Sequence, residues 1–208
     1  IDKSRKFLSD LTDGKLNISK GMISKLSREF ALKTEPERRE AYADMLLSPV
    51  MHTDCTNGRE NGKSCQIYVC ATPDGKALYF AREKKGREGV KGTVTEDYQG
   101  ILVHDHDITF YNYGADHQEC LAHMLRYLKD SMDNEPNRAW NKDMIPGYLP
   151  TNNEAERLLR NYKRKQAQAV TFRSFESIDY LCQCMSMLVL MRLEEPANIF
   201  DRVSRIFG

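Results

Sequence analysis

The sequence has no apolar run long enough to span a bilayer and no basic segment followed by an apolar one near its start. Neither absence favours membrane insertion or secretion, so the expected location is the cytoplasm. It also lacks an excess of either charge: thirty acidic residues offset thirty-one basic ones, for a net charge of +1. A nucleic-acid partner would therefore leave no global mark, and any basic surface must be local. The six cysteines (Cys55, Cys65, Cys70, Cys120, Cys182 and Cys184) have none of the regular spacing of a disulfide scaffold and read as reduced, mostly buried thiols. Internal repeats and low-complexity tracts are missing as well, which excludes solenoids and disordered linkers.

What is present is an ordinary globular composition, 40% hydrophobic and 29% charged over 208 residues, enough for one domain with a sizeable core plus an accessory segment. Residues 1–47 read as a helical leader, with Met22, Leu26 and Phe30 on one apolar stripe and Pro36 opening a second helix. Lys20, Lys25 and Arg28 lie off that stripe, so the leader fits either part of a helix-turn-helix DNA reader or a helical layer on the core. From residue 48 the period changes. Residues 50–54 read as a strand that ends at Asp54 and runs into a polar turn at 57–62. Residues 65–72 and 77–82 are aromatic and β-branched runs joined by Pro73-Asp74-Gly75, a hairpin signal.

A Gly-punctuated amphipathic stretch at 87–97 precedes the compact apolar run 100–103, which stops at His104-Asp105 and reads as a buried parallel strand. Residues 117–132 form an amphipathic helix. Pro136, Pro146 and Pro150 mark a connection, with a brief strand expected at 147–149, before a helix capped by 151–153 and running to about 166. A largely apolar helix follows Ser174, over about 175–193. Three meandering strands, a helix, a fourth buried strand and then helices is the order of an RNase H-like α/β domain, a mixed sheet flanked by helices with a helical N-terminal leader. The expected division is a leader at 1–47, a core at 48–193 and a C-terminal tail at 194–208.

Two carboxylates, Asp54 and Asp105, fall at the carboxyl ends of expected strands, where open α/β sheets place their sites. Glu156 lies one turn into a capped helix, on the side away from Ala155, Leu158, Leu159 and Tyr162. Three hard oxygen ligands with room for phosphate oxygens suit Mg²⁺ or Mn²⁺. An aspartate at a strand end is more often a solvated turn residue, so the trio alone does not single out this chemistry. Cys120 and His123 have zinc-ligand spacing, but no second pair matches it. Cys120 reads as core and His123 as a polar residue near the site. His52 and His104 precede the two aspartates closely, as supporting groups or as solvated strand-end histidines.

The blocks 51–56 with 61–63, 100–105, Cys120-Leu121-Ala122-His123 with Arg126, and Asn152-Asn153-Glu154-Ala155-Glu156-Arg157 with Arg160 resemble, in order, those of insertion sequence 66 transposases of the DDE superfamily. The last block is the most specific. The resemblance covers about residues 48–192 and implies an RNase H-like catalytic core with Asp54, Asp105 and Glu156 as the DDE triad, a two-metal site for Mg²⁺ or Mn²⁺, and His123 and Arg126 beside it. It implies cleavage at transposon ends, strand transfer by the freed 3′-hydroxyl, a homo-oligomer assembled on DNA, no membrane partner, and action at the bacterial nucleoid.

Arg157, Arg160, Lys163 and Arg164, on the helix that carries Glu156, are the expected DNA-phosphate contacts; a second basic cluster runs from Arg82 to Lys91. The long helical insertion that the family tends to carry between its second aspartate and its glutamate has no room here, since Asp105 and Glu156 stand only 51 positions apart. A non-catalytic DNA-binding remnant, or a nuclease of the same fold without strand transfer, are the alternatives.

Overall fold

The computed structural model describes residues 5–6, 9–10, 12–134, 154–168, 172, 174–194 and 199–207, without the side chains of Ala122, Glu154, Glu156 and Gln168. The expected proline-rich connection, the strand at 147–149 and the cap at 151–153 lie outside the described residues.

In the leader, Lys20–Lys33 forms helix α1 and Glu35–Leu46 forms helix α2. Ser19 caps α1 by accepting the Met22 N–H at 3.0 Å, and Pro36 sits in the first turn of α2, where its missing N–H costs no helical bond. Strands β1 (Val50–Glu60), β2 (Lys63–Ala71) and β3 (Ala77–Arg82) form an antiparallel meander. The β1–β2 turn is Asn61-Gly62, both at positive φ (44° and 81°), which matches the right-handed twist of the flanking strands.

Two short helices, α3 (Arg87–Val90) and α4 (Val94–Asp97), lead to β4 (Ile101–His104), which lies parallel to β1. Beyond it, β5 (Asp116–Glu119) lies parallel to β4. Helices α5 (Leu121–Asn134), α6 (Glu154–Gln168), α7 (Phe175–Glu194) and α8 (Ile199–Phe207) follow. The sheet order β3-β2-β1-β4-β5, with three antiparallel strands and then two parallel to β1, is the RNase H-like arrangement.

Three expectations need correction. β1 does not end at Asp54; it continues to Glu60, hydrogen-bonded along its length to β2. Residues 116–119 form the edge strand β5, and the following helix starts at Leu121 rather than 117. Asp116-His117-Gln118-Glu119 carries no apolar alternation, because an edge strand need not bury a face. The tail contains α8, whose Phe207 stacks on Phe30 at 6.3 Å while Lys33 Nζ donates to the Ile206 carbonyl at 2.7 Å.

Both faces of the sheet are covered. On one, Met51, Tyr68, Leu78, Phe80 and Leu102 meet Phe30, Ala41 and Met45 of the leader together with Met187 and Met191 of α7. On the other, Ile67, Val69 and Tyr79 meet Ala155, Leu158, Leu159 and Tyr162 of α6 and Ile178 and Cys182 of α7. Burial on two faces explains why β2 is inaccessible continuously from Cys65 to Ala71. It also makes the leader a layer of the core. Edge strand β3 is shielded by α7, where Ser186 Oγ accepts the Tyr79 N–H at 2.8 Å. The six cysteines are free thiols. Among the described residues, no helix is long and apolar enough to cross a membrane.

Candidate active site

β1 and β4 pair only as far as His52 and Val103. Past that point β1 stays with β2 while the chain leaving β4 turns away, and the divergence opens a cleft between the middle of β1 and the carboxyl end of β4. Asp54 lies two residues beyond the last pair, and Asp105 follows the last residue of β4 directly. Both carboxylates border one cavity of about 250 Å³. Its walls come from β1 (Asp54, Cys55, Thr56), the end of β4 (Asp105), α5 (His123, Arg126) and α6 (Leu159, Arg160, Lys163).

The aspartates are held differently. Asp54 is only 7% exposed, and its Oδ1 accepts the Cys55 N–H at 2.7 Å. Asp105 belongs to a braced loop: its Oδ1 accepts the Asp107 N–H at 3.1 Å, Asp107 Oδ1 accepts the Thr109 N–H at 2.9 Å, and Lys85 pairs with Asp107 at 2.8 Å. Burial pushes the Asp107 carboxyl up, but the hydrogen bonds from Lys85 and Thr109 outweigh it and hold its pKa below the usual carboxylate value. Loop and β3–α3 connection are thereby tied together behind Asp105.

His123 projects from the first turns of α5. The neighbouring Cys120 raises its pKa, with a further contribution from Asp54, against the opposing effects of burial and of Arg126. Cys120 itself is buried. His104 is fully buried beneath the site, its Nε2 3.1 Å from Nδ1 of His117, and burial lowers its pKa, which favours the neutral ring. His52 is half-buried on β1.

Of the residues singled out in the sequence, Asp54, Asp105, His123, Arg126, Arg160 and Lys163 come together around this cavity. Arg157 and Arg164 are exposed on α6 but do not border it. Glu156 lies in the first turns of α6, one turn before Arg160; its side chain is not among those described. Among the described residues, no three His, Cys, Asp or Glu side chains are grouped to hold a metal, so Cys120 and His123 gain no further zinc ligands there. The aspartate pair supplies two hard-oxygen donors beside three cationic side chains, a set suited to a divalent cation and a phosphate together. Sequence reasoning missed the Lys85–Asp107 brace. Lys85 stood in the second basic cluster and Asp107 two residues after Asp105, but only the fold pairs them.

A family model described as "Transposase IS66 family" matches residues 7–145. No curated protein matches. Solved structures that resemble the chain include a chain of the simian T-cell lymphotropic virus intasome in complex with PP2A regulatory subunit B56 gamma, at 12% identity and a TM-score of 0.30. That match covers 53% of this chain and 47% of that one, so this chain spans about half of its length. Another is the HTLV-2 integrase catalytic core domain in complex with magnesium, in a dimeric form, at 13% identity and a TM-score of 0.28, covering 50% of this chain and 85% of that one. At such scores the likeness adds nothing to the strand order described above.

Proposed function

Because the chain belongs to the IS66 family of transposases, we propose that it forms the catalytic core of a DDE-type DNA transposase, which cuts DNA at transposon ends and joins the freed 3′-hydroxyl to target DNA. The observation that carries this reading is the cavity in which Asp54 and Asp105 face Arg126, Arg160 and Lys163. An acidic pair alone would repel DNA; cations around it bring the phosphate backbone to the carboxylates.

Asp54, Asp105 and Glu156 are the proposed ligands for Mg²⁺ or Mn²⁺. Position 156 stands one turn before Arg160 on a helix packed against the sheet, which supports its assignment as the third carboxylate. Bound there, a divalent pair would supply Lewis-acid stabilisation of the charge that develops on the phosphoryl oxygens. The protein groups do the rest. Asp54 is fixed by the Cys55 N–H and Asp105 by the Asp107 N–H, so the donors are positioned before substrate arrives. Arg160 and Lys163 hold phosphates from α6, and Arg126 does so from α5. DNA and further copies of the chain assembled on it are the proposed partners.

The decisive experiment incubates the protein with labelled duplex carrying the element's terminal sequence and Mn²⁺, with and without chelator. Metal-dependent nicking at the end followed by joined products is expected. Nicking without joining would reduce the reading to a nuclease, and no metal-dependent product would sink it.

The cations make a separate prediction. DNA affinity should fall with salt, and replacing Arg160, Lys163 and Arg164 together by alanine should flatten the log–log slope by about 0.9 for each phosphate that is no longer neutralised. Fluorescence anisotropy across a salt series reads it. An unchanged slope would make these residues an ordinary solvated helix face.

A further inference from the structure

A row of aromatic rings leads away from the cavity wall. The His123 ring, at the cavity, lies 6.5 Å from that of Tyr127 one turn along α5; Tyr127 lies 6.5 Å from His106, and His106 lies 6.2 Å from Tyr111. The last two belong to the loop that Asp105 opens. Both are held by Glu119 at the end of β5: Glu119 Oε1 is 2.7 Å from His106 Nδ1 and accepts the Tyr111 hydroxyl. Tyr111 also meets the buried His104 edge-on at 4.7 Å, which ties the row to the sheet.

These rings do not fill the core. Tyr127 is 49% and Tyr111 40% exposed, and the His106 side chain is 67% exposed. Four rings in series, two of them anchored on one carboxylate, thus run from the aspartate cavity into solvent.

Resting on the phosphodiester reading above, we propose that this row is a stacking platform for an unpaired nucleotide of the DNA strand whose backbone is held at Asp54 and Asp105. A base within a duplex already has neighbours on both faces, so side-chain rings can cover a face only of a base that has left the stack. The row begins where Arg126, Arg160 and Lys163 would hold the phosphates, so a base swung out next to that phosphate passes His123 and reaches the exposed Tyr127 and His106. Aromatic stacking of this kind tolerates any base, because every base has a π face. The platform would accept a splayed strand end irrespective of its sequence.

The test uses the full chain with Ca²⁺ and two duplexes, one blunt and one with a short single-stranded extension containing 2-aminopurine. Wild-type protein should bind the extended duplex more tightly and quench the 2-aminopurine fluorescence. Tyr127→Ala should weaken binding of the extended duplex by about five- to 140-fold, the range for loss of one stacked base, and abolish the quenching. Tyr127→Phe, which keeps the ring, should retain both. Equal affinity of wild type for the two duplexes, or quenching by Tyr127→Ala equal to that by wild type, overturns the proposal. Metal-dependent cleavage by the wild type keeps the two readings apart. If cleavage occurs and the 2-aminopurine signal does not respond to Tyr127→Ala, stacking alone is wrong; if neither duplex binds and nothing is cleaved, both are.

Discussion

Asp54→Asn and Asp105→Asn should each lower metal-dependent DNA cleavage by on the order of 10³-fold or more, since each removes a charge that binds the cation stabilising the transition state. Neither should unfold the protein. The Asp54 Oδ1 that accepts from Cys55 and the Asp105 Oδ1 that accepts from Asp107 both have a counterpart in asparagine, so the local hydrogen bonds survive while the charge is lost. Asp54 is buried, and neutralising a buried carboxylate removes a desolvation cost as well. Melting temperatures should therefore stay within about 3 °C of wild type, the shift that roughly 1 kcal/mol produces in a chain of this size. Glu156→Gln should behave likewise. Single-turnover cleavage with Mg²⁺, alongside thermal melts, separates loss of a ligand from loss of the fold. A variant that cleaves at close to the wild-type rate identifies a carboxylate that is not a ligand.

How far the site was legible in the sequence depends on which residues are asked about. Asp105 could be placed because a short, wholly apolar run stops right before it, and β2 and β3 because their aromatic runs flank Pro73-Asp74-Gly75. β1 was misread for a physical reason. One Asn-Gly pair, Asn57-Gly58, stands in its second half and another, Asn61-Gly62, directly after it, and both look like turns. Only Asn61-Gly62 is one. Gly58 lies within the strand, where an added Cβ would come within 2.7 Å of Cys65 Sγ and 3.2 Å of the Tyr162 hydroxyl, so close packing of α6 and β2 explains that glycine. β5 was invisible because its four polar residues take their conformation from pairing with β4, a tertiary effect that no local pattern records. The convergence of His123, Arg126 and Arg160 on the aspartates was legible only through family blocks, and Lys163 only as one of the cations on the helix that carries Glu156. Spacing cannot show that α5 and α6 reach one cavity.

The largest stability effect is expected at a glycine far from the carboxylates in sequence. Gly89 lies in α3, and a Cβ there would fall 2.3 Å from the Lys84 carbonyl oxygen and 2.4 Å from the Tyr68 hydroxyl. Tyr68 is buried in the core and the other neighbour is backbone, so neither can yield cheaply. Alanine gains about 1 kcal/mol of helix propensity over glycine, but overpacking of this kind costs about 1–3 kcal/mol, occasionally more, and approaches this short belong at the upper end. Gly89→Ala should therefore lower the urea midpoint. Gly21→Ala in α1, whose nearest neighbour would be Ser19 Oγ at 3.7 Å, gains the propensity without the clash and should hold or raise it. The same clash bears on the site, because Lys84 adjoins Lys85, and Lys85 holds the Asp107 that fixes Asp105. A displaced Lys84 carbonyl loosens that brace, so Gly89→Ala should slow cleavage even at urea concentrations where the variant remains folded. A midpoint at or above that of wild type would mean that the approach of Lys84 and Tyr68 to Gly89 is looser than the structure has it, and the link from α3 to Asp105 would go with it.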